Sequence, residues 1–121
     1  MSFQENLRRV VDEVPGAIAS ILMGFDGIAI DAYERAGNDL DIPTLVIECS
    51  AAALQALRSA EQHQAIGQIV EVAISAANIV TLMRPVTAEI FLAVVLTPDG
   101  LAGKARFLMR VVTPQLIKEL S

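Results

Sequence analysis

Apolar positions along the chain first settle into a helical period at Phe3, Leu7, Val10, Val11 and Val14, a spacing that puts one face of a helix on a core. Ser2 stands three residues before Glu5, the S-x-x-E arrangement of a capping box, and Pro15-Gly16 closes the segment. Two apolar runs follow, AIASILMGF and IAIDAYE, parted by Asp26-Gly27. An Asp-Gly pair between such runs predicts a hairpin, because glycine takes positive φ without steric cost. The first run is apolar almost throughout. The second alternates, so Ile28, Ile30 and Ala32 are expected on one face and Asp31 and Tyr33 on the other.

A polar loop, RAGNDLD, leads to Asp41 and Pro43, which mark a helix start. The pattern carries this second helix from Ile42 to about Gln62. One stripe holds Ile42, Leu45, Val46, Cys49, Ala53, Ala56, Leu57 and Ala60, enough to sit on a sheet. Ile47, Ala51 and Leu54 fall off that stripe at roughly 100° per residue, so the apolar arc exceeds one core face. Its flank, lined by Ser50, Ala51 and Leu54, suits close approach of a second helix. A helix–helix subunit contact is the favoured reading, and burial of the flank within the same domain is the alternative.

Three more strands are expected in GQIVEVAIS, NIVTLMR and EIFLAVVL. The links between them, Ala76-Ala77-Asn78 and PVTA, are too short for parallel crossovers, so neighbours must be antiparallel. IFLAVVL is apolar on both faces and belongs in the middle of a sheet covered on both sides. QIVEVAIS alternates, with Val70, Val72 and Ile74 against Glu71 and Ser75, as an edge strand or a strand meeting a partner chain would. The last segment, about Leu101 to Leu120, is helical, with Pro114 expected to kink or restart it and Thr113 available as a cap. Asp99 is expected to cap this helix, Gly100 to make the turn, and Gly103 to let the helix pass close to the sheet. The order is α-β-β-α-β-β-β-α: an α+β fold with a five-stranded antiparallel sheet between helical layers, one domain over residues 1–121.

Composition narrows the chemistry. Apolar residues are 54% of the chain and aromatics 4%, so the core must be aliphatic. Mean hydropathy is +0.53, yet every apolar stretch is cut well short of the roughly 18 residues a membrane span needs. Surface buried between subunits explains the excess, and the start MSFQENLRRVV has no signal-peptide character. A cytoplasmic protein is expected. Net charge is −5 with nine scattered basic residues, and the nearest cluster, Lys104, Arg106 and Arg110, is no phosphate-backbone footprint. A single cysteine, Cys49, precludes an internal disulfide and reads as a buried thiol.

The stretch TPDGLAGKARFLMR, Thr97 to Arg110, looks like a phosphate-binding loop. Aligned on Gly103-Lys104, it has Pro98 where the first glycine of that motif belongs and Ala105 where its magnesium-binding hydroxyl belongs. His63 is the only histidine and Cys49 lies fourteen residues before it in sequence, which leaves no nucleophile–base set within one helix. Asp26, Asp31, Glu34, Asp39 and Asp41 read as a solvated acidic rim, without calcium-loop spacing. No catalytic constellation, cofactor site or metal site is expected.

The hairpin SILMGFDGIAIDAY and the half VEVAISAANIVTLMRPVTAEIFLAVVLTPDGLAGKARFLMRVVTPQL together resemble the roadblock family, which includes the MglB and MglC proteins of bacterial motility and polarity. Asp26, Gly27, Asp99, Gly100, Gly103 and Arg106 are the positions that carry the resemblance, which spans nearly the whole chain. The MGFDGIAI hairpin is most like that of MglC-type members. The resemblance implies dimers formed through the third strand and second helix. Ile47, Ser50, Ala51, Leu54 and Arg58 on the helix, and Ile69, Glu71, Val72 and Ala73 on the strand, would then form the interface. It also implies a non-enzymatic adaptor for a small Ras-like GTPase, bound to the GTPase or to another roadblock protein such as an MglB-like one. The chain lacks the extended tails of MglB-like members, so GTPase activation is not carried over. The competing expectation is a PAS- or profilin-like small-molecule sensor, against which the scarcity of aromatics argues.

Overall fold

Alternation along the last strand dictates the layering: Leu92, Val94 and Leu96 join one buried cluster while Phe91, Ala93 and Val95 join another. In a computed structural model, which describes residues 2–121, the elements are α1 (Phe3–Glu13), β1 (Ala17–Gly24), β2 (Ala29–Glu34) and α2 (Ile42–Glu61). A 3-10 turn (Gln64–Ile66), β3 (Val72–Ser75), β4 (Val80–Pro85), β5 (Ile90–Leu96) and α3 (Ala102–Leu120) follow. The order is α-β-β-α-β-β-β-α, as expected. The strands form one sheet, β2-β1-β5-β4-β3, with every neighbouring pair antiparallel. β5 lies at its centre, covered by α1 and α3 through Leu7, Val10, Leu108 and Val112, and by α2 through Val46 and Ala53.

Local chemistry fixes the ends of the helices. The Ser2 hydroxyl oxygen accepts from the Glu5 N–H at 3.2 Å and caps α1. At the other end of α1 the Arg35 guanidinium donates to the Val11 and Ala17 carbonyls at 2.8 and 2.9 Å, meeting groups that a helix terminus leaves without partners. Asp41 caps α2 by accepting from the Thr44 N–H and hydroxyl. In the first turn Asp26 Oδ1 accepts from the Ile28 N–H at 3.0 Å, and Gly27 sits at φ +88°.

Four expectations are corrected. A register shift between Leu22 and Met23 puts Ala29 opposite Met23 and Asp31 opposite Leu22, leaving Ile30 unpaired in a bulge. Ile28, Ile30 and Ala32 therefore do not form one stripe, and Ile28 and Ile30 are exposed. β3 is shorter than the run GQIVEVAIS: its ladder with β4 starts at Val72 opposite Met83. Two residues further, Val70 would face Pro85. Val86 turns its N–H to Ile90 of β5, so Pro85 occupies the position facing β3 and has no N–H to give. Val70 is exposed accordingly.

The third correction concerns the start of α3. Leu101 is its N-cap residue and no side chain caps it, Asp99 included. Thr97 and Gly100 instead close a tight turn, Gly100 N–H donating to Thr97 O at 2.9 Å. Gly103 is exposed, and a Cβ there would meet nothing within 4 Å. The close approach belongs to Gly16 and Gly100. Fourth, α3 runs unbroken through Pro114, and Thr113 donates its hydroxyl back to the Met109 carbonyl rather than capping a new helix. Arg110 and Pro114 both face outward, so solvent can meet the Arg110 carbonyl that proline leaves free.

Candidate functional site

Residues 47, 51, 54 and 58 follow one another at helical steps of four, three and four, so they form one stripe along α2. The stripe is open: Ile47 is 45% exposed, Ala51 and Arg58 are exposed, and Leu54 is half-buried. Ser50, expected beside them, is 3% exposed within the chain itself, its hydroxyl donating to the Ile47 carbonyl. It presents almost no surface to a second copy.

β3 lies next to this helix at the edge of the sheet. Val72 and Ile74 pack under α2, while Ala73 and Ser75 are exposed. Glu71 turns to the other side, where its carboxylate accepts from Arg106 Nε of α3 at 2.8 and 3.1 Å. The structure thus brings together a residue expected at a subunit contact and one singled out for the family pattern. Both side chains are partly exposed, at 27% and 41%, so the pair contributes little to stability. Ile69 is half-buried ahead of it.

A cleft of about 690 Å³ opens beside this region, a size within the range of small-molecule sites. Leu57 and Glu61 of α2, Ile69, Arg84, Thr87 and Phe25 line its walls. Phe25 also meets Phe91, ring centroids 5.0 Å apart.

Among the described residues, acid–base or nucleophilic groups do not converge. Cys49 is buried beneath α2, and burial pushes its thiol above the ordinary range, partly offset by a hydrogen bond with Thr81. His63 is exposed after the end of α2. Asp26 and Asp41 of the acidic rim are committed to a turn and a cap. Among the described residues, no three His, Cys, Asp or Glu could hold a metal ion, and no helix is long and apolar enough to cross a membrane. Sequence reasoning missed Arg35 and Gly16. An arginine soon after a strand gives no pattern that announces a clamp on carbonyls 24 and 18 residues earlier. Gly16 had a signal, the Pro-Gly pair, but was read only as a helix stop.

No family model matches the sequence, and no curated protein matches it. Solved structures do. The structure of MglC from Myxococcus xanthus is 37% identical over 98% of this chain and 99% of its own, with a TM-score of 0.70. A Roadblock/LC7 domain from Streptomyces avermitilis superposes at a TM-score of 0.76, with 14% identity over 97% of this chain and 99% of that one. An MglB described in a tetrameric arrangement superposes at 0.81, with 17% identity over 96% and 85%. The latter two show the shared fold. Identity at the level of MglC, carried along both chains almost from end to end, shows more: this chain belongs to the roadblock family.

Proposed function

We propose that the chain is a non-enzymatic, homodimeric adaptor or regulator in a small Ras-like GTPase system of cell polarity or motility. The observation that carries this is the open stripe of Ile47, Ala51, Leu54 and Arg58 lying beside a sheet edge that ends in β3. An apolar helix face next to an unpaired strand offers a second copy both backbone hydrogen bonds and a packing surface. In the dimer the two β3 strands pair across a two-fold axis and the two α2 helices lie side by side, an isologous contact.

The partner is the GTPase or another roadblock protein of the MglB type. Its likeness to MglC supports this reading, as does the lack of a nucleophile–base pair joining Cys49 and His63, one buried and one exposed. The hairpin around Asp26 offers a partner surface: Ile28 is 68% and Ile30 42% exposed there. Function of this kind belongs in the cytoplasm, without cofactor or metal. The test is direct binding of the purified chain to candidate GTPases, loaded with GTP or GDP, and to an MglB-type protein. Saturable binding to one of them is expected. No binding at tens of micromolar, with the wild type folded, contradicts the reading.

The cleft between α2 and the β4–β5 turn favours one other reading, a profilin- or PAS-like sensor of a small molecule. A metabolite screen by thermal shift separates the two, since a ligand a hundredfold above its Kd stabilises by about 2.7 kcal/mol.

A further inference from the structure

Ala105, Leu108, Met109, Val112 and Leu116 turn one face of α3 into the core. At about 100° per residue, Phe107 and Pro114 lie diametrically opposite that face, flanked by Lys104 and Lys118 on one side and Arg110 on the other. The observed exposures agree: Phe107 is 55% exposed and Lys104, Arg110, Pro114 and Lys118 are all exposed. α3 holds four cations against one acid, Glu119, a net +3 in a chain of net −5, so everything outside it sums to −8. Arg106 is committed to Glu71. The other three cations have no ion-pair partner among the described residues. Lys104 and Arg110 flank an unburied aromatic ring within one turn, and Lys118 stands on the same outer face about 16 Å further along the axis. α1 and α3 cover the face of the sheet opposite α2, so this surface stays open whether or not α2 and β3 are occupied.

We infer that the outer face of α3 is a docking site for an acidic segment of a partner protein, with Phe107 as its apolar anchor, Lys104 and Arg110 beside it, and Lys118 as a further cation along the same face. Aromatic residues and arginine are the side chains enriched in interfaces, and Phe107 and Arg110 stand side by side on this face. The charge pattern selects an acidic occupant: a basic one lying along the helix meets like charges at Lys104, Arg110 and Lys118, whereas an acidic one is also steered away from the acidic remainder of the chain. A protein is favoured over an anionic membrane for two reasons. Three cations are worth only about 1 kcal/mol each near such a surface, and the −8 elsewhere on the chain opposes approach to it.

The experiment uses the full chain, labelled for backbone NMR, and an acidic amphipathic peptide of about 18 residues with leucines on one face and glutamates beside them. A scrambled peptide of equal composition and vesicles containing phosphatidylserine complete the set. Shifts on binding the ordered peptide should centre on Lys104, Phe107, Arg110, Val111 and Lys118. Phe107→Ala and Arg110→Glu should each weaken it tenfold or more with circular dichroism unchanged, and added salt should weaken it further. The inference is overturned if the ordered peptide fails to bind at millimolar concentration, or binds no better than the scrambled one. It is equally overturned if shifts map to α2 or β3, or if the vesicles bind in a Phe107-dependent way and the peptide does not.

Discussion

Gly16 and Gly100 face each other across the join between the first and last loops, so closely that a Cβ on Gly16 would stand 2.4 Å from the Gly100 Cα. Gly16 also holds φ +87°, in the region that side chains strain to enter. Around the contact, Thr97 N–H donates to Gly16 O at 2.9 Å and Leu101 N–H to Pro15 O at 3.0 Å. These bonds fix where β1 begins and where α3 starts, in the absence of a side-chain cap on α3.

Gly16→Ala should therefore cost about 2 kcal/mol or more, through backbone strain and a backbone clash that no rotamer relieves. Gly103→Ala should do the opposite: the site is helical and open, and alanine gains up to about 1 kcal/mol there. Urea unfolding of the two variants measures the contrast directly. Equal effects would refute the placement of the close approach at Gly16 and Gly100.

The Glu71–Arg106 pair should contribute little to stability. Each single change to alanine should cost below about 1 kcal/mol, since both groups are partly exposed. A double-mutant cycle in thermal unfolding should show coupling that fades with added salt. Coupling that survives high salt would mean the pair is more deeply buried than described.

How far the chain could be read without its structure depended on where the determining contacts lie. Element order, the central place of IFLAVVL and the caps at Ser2 and Asp41 follow from periodicity and from neighbours three residues apart. The roadblock likeness rested on that same order and holds. What escaped was set across long sequence distances. The bulge at Ile30 depends on register against Leu22 and Met23, and the length of β3 depends on Pro85 in the next strand. Gly103 was assigned a close approach that Gly100 makes with Gly16. For the site, helical spacing set Ile47, Ala51 and Leu54 apart from the core stripe and the family resemblance added Arg58, whereas Ser50, read on the same flank, is buried within the chain itself.

Cys49 provides a pH test. Burial raises its thiol pKa above the unfolded value, so its contribution is fully present below the ordinary thiol range and is lost as pH rises through the raised folded value. The stability gap between wild type and Cys49→Ala should shrink from about pH 8 upward. Thiol reagents should label native protein slowly and unfolded protein fast. Immediate labelling of the native chain would show that the space beneath α2 is open.

Subunit contact through α2 and β3 is the central claim, and sedimentation at tens of micromolar tests it most directly. The account predicts a species of about twice the 12.9 kDa chain mass, reduced to a monomer with unchanged circular dichroism by Leu54→Glu or Ala51→Glu. A wild type that sediments as a monomer throughout, or variants that remain dimeric, would contradict it.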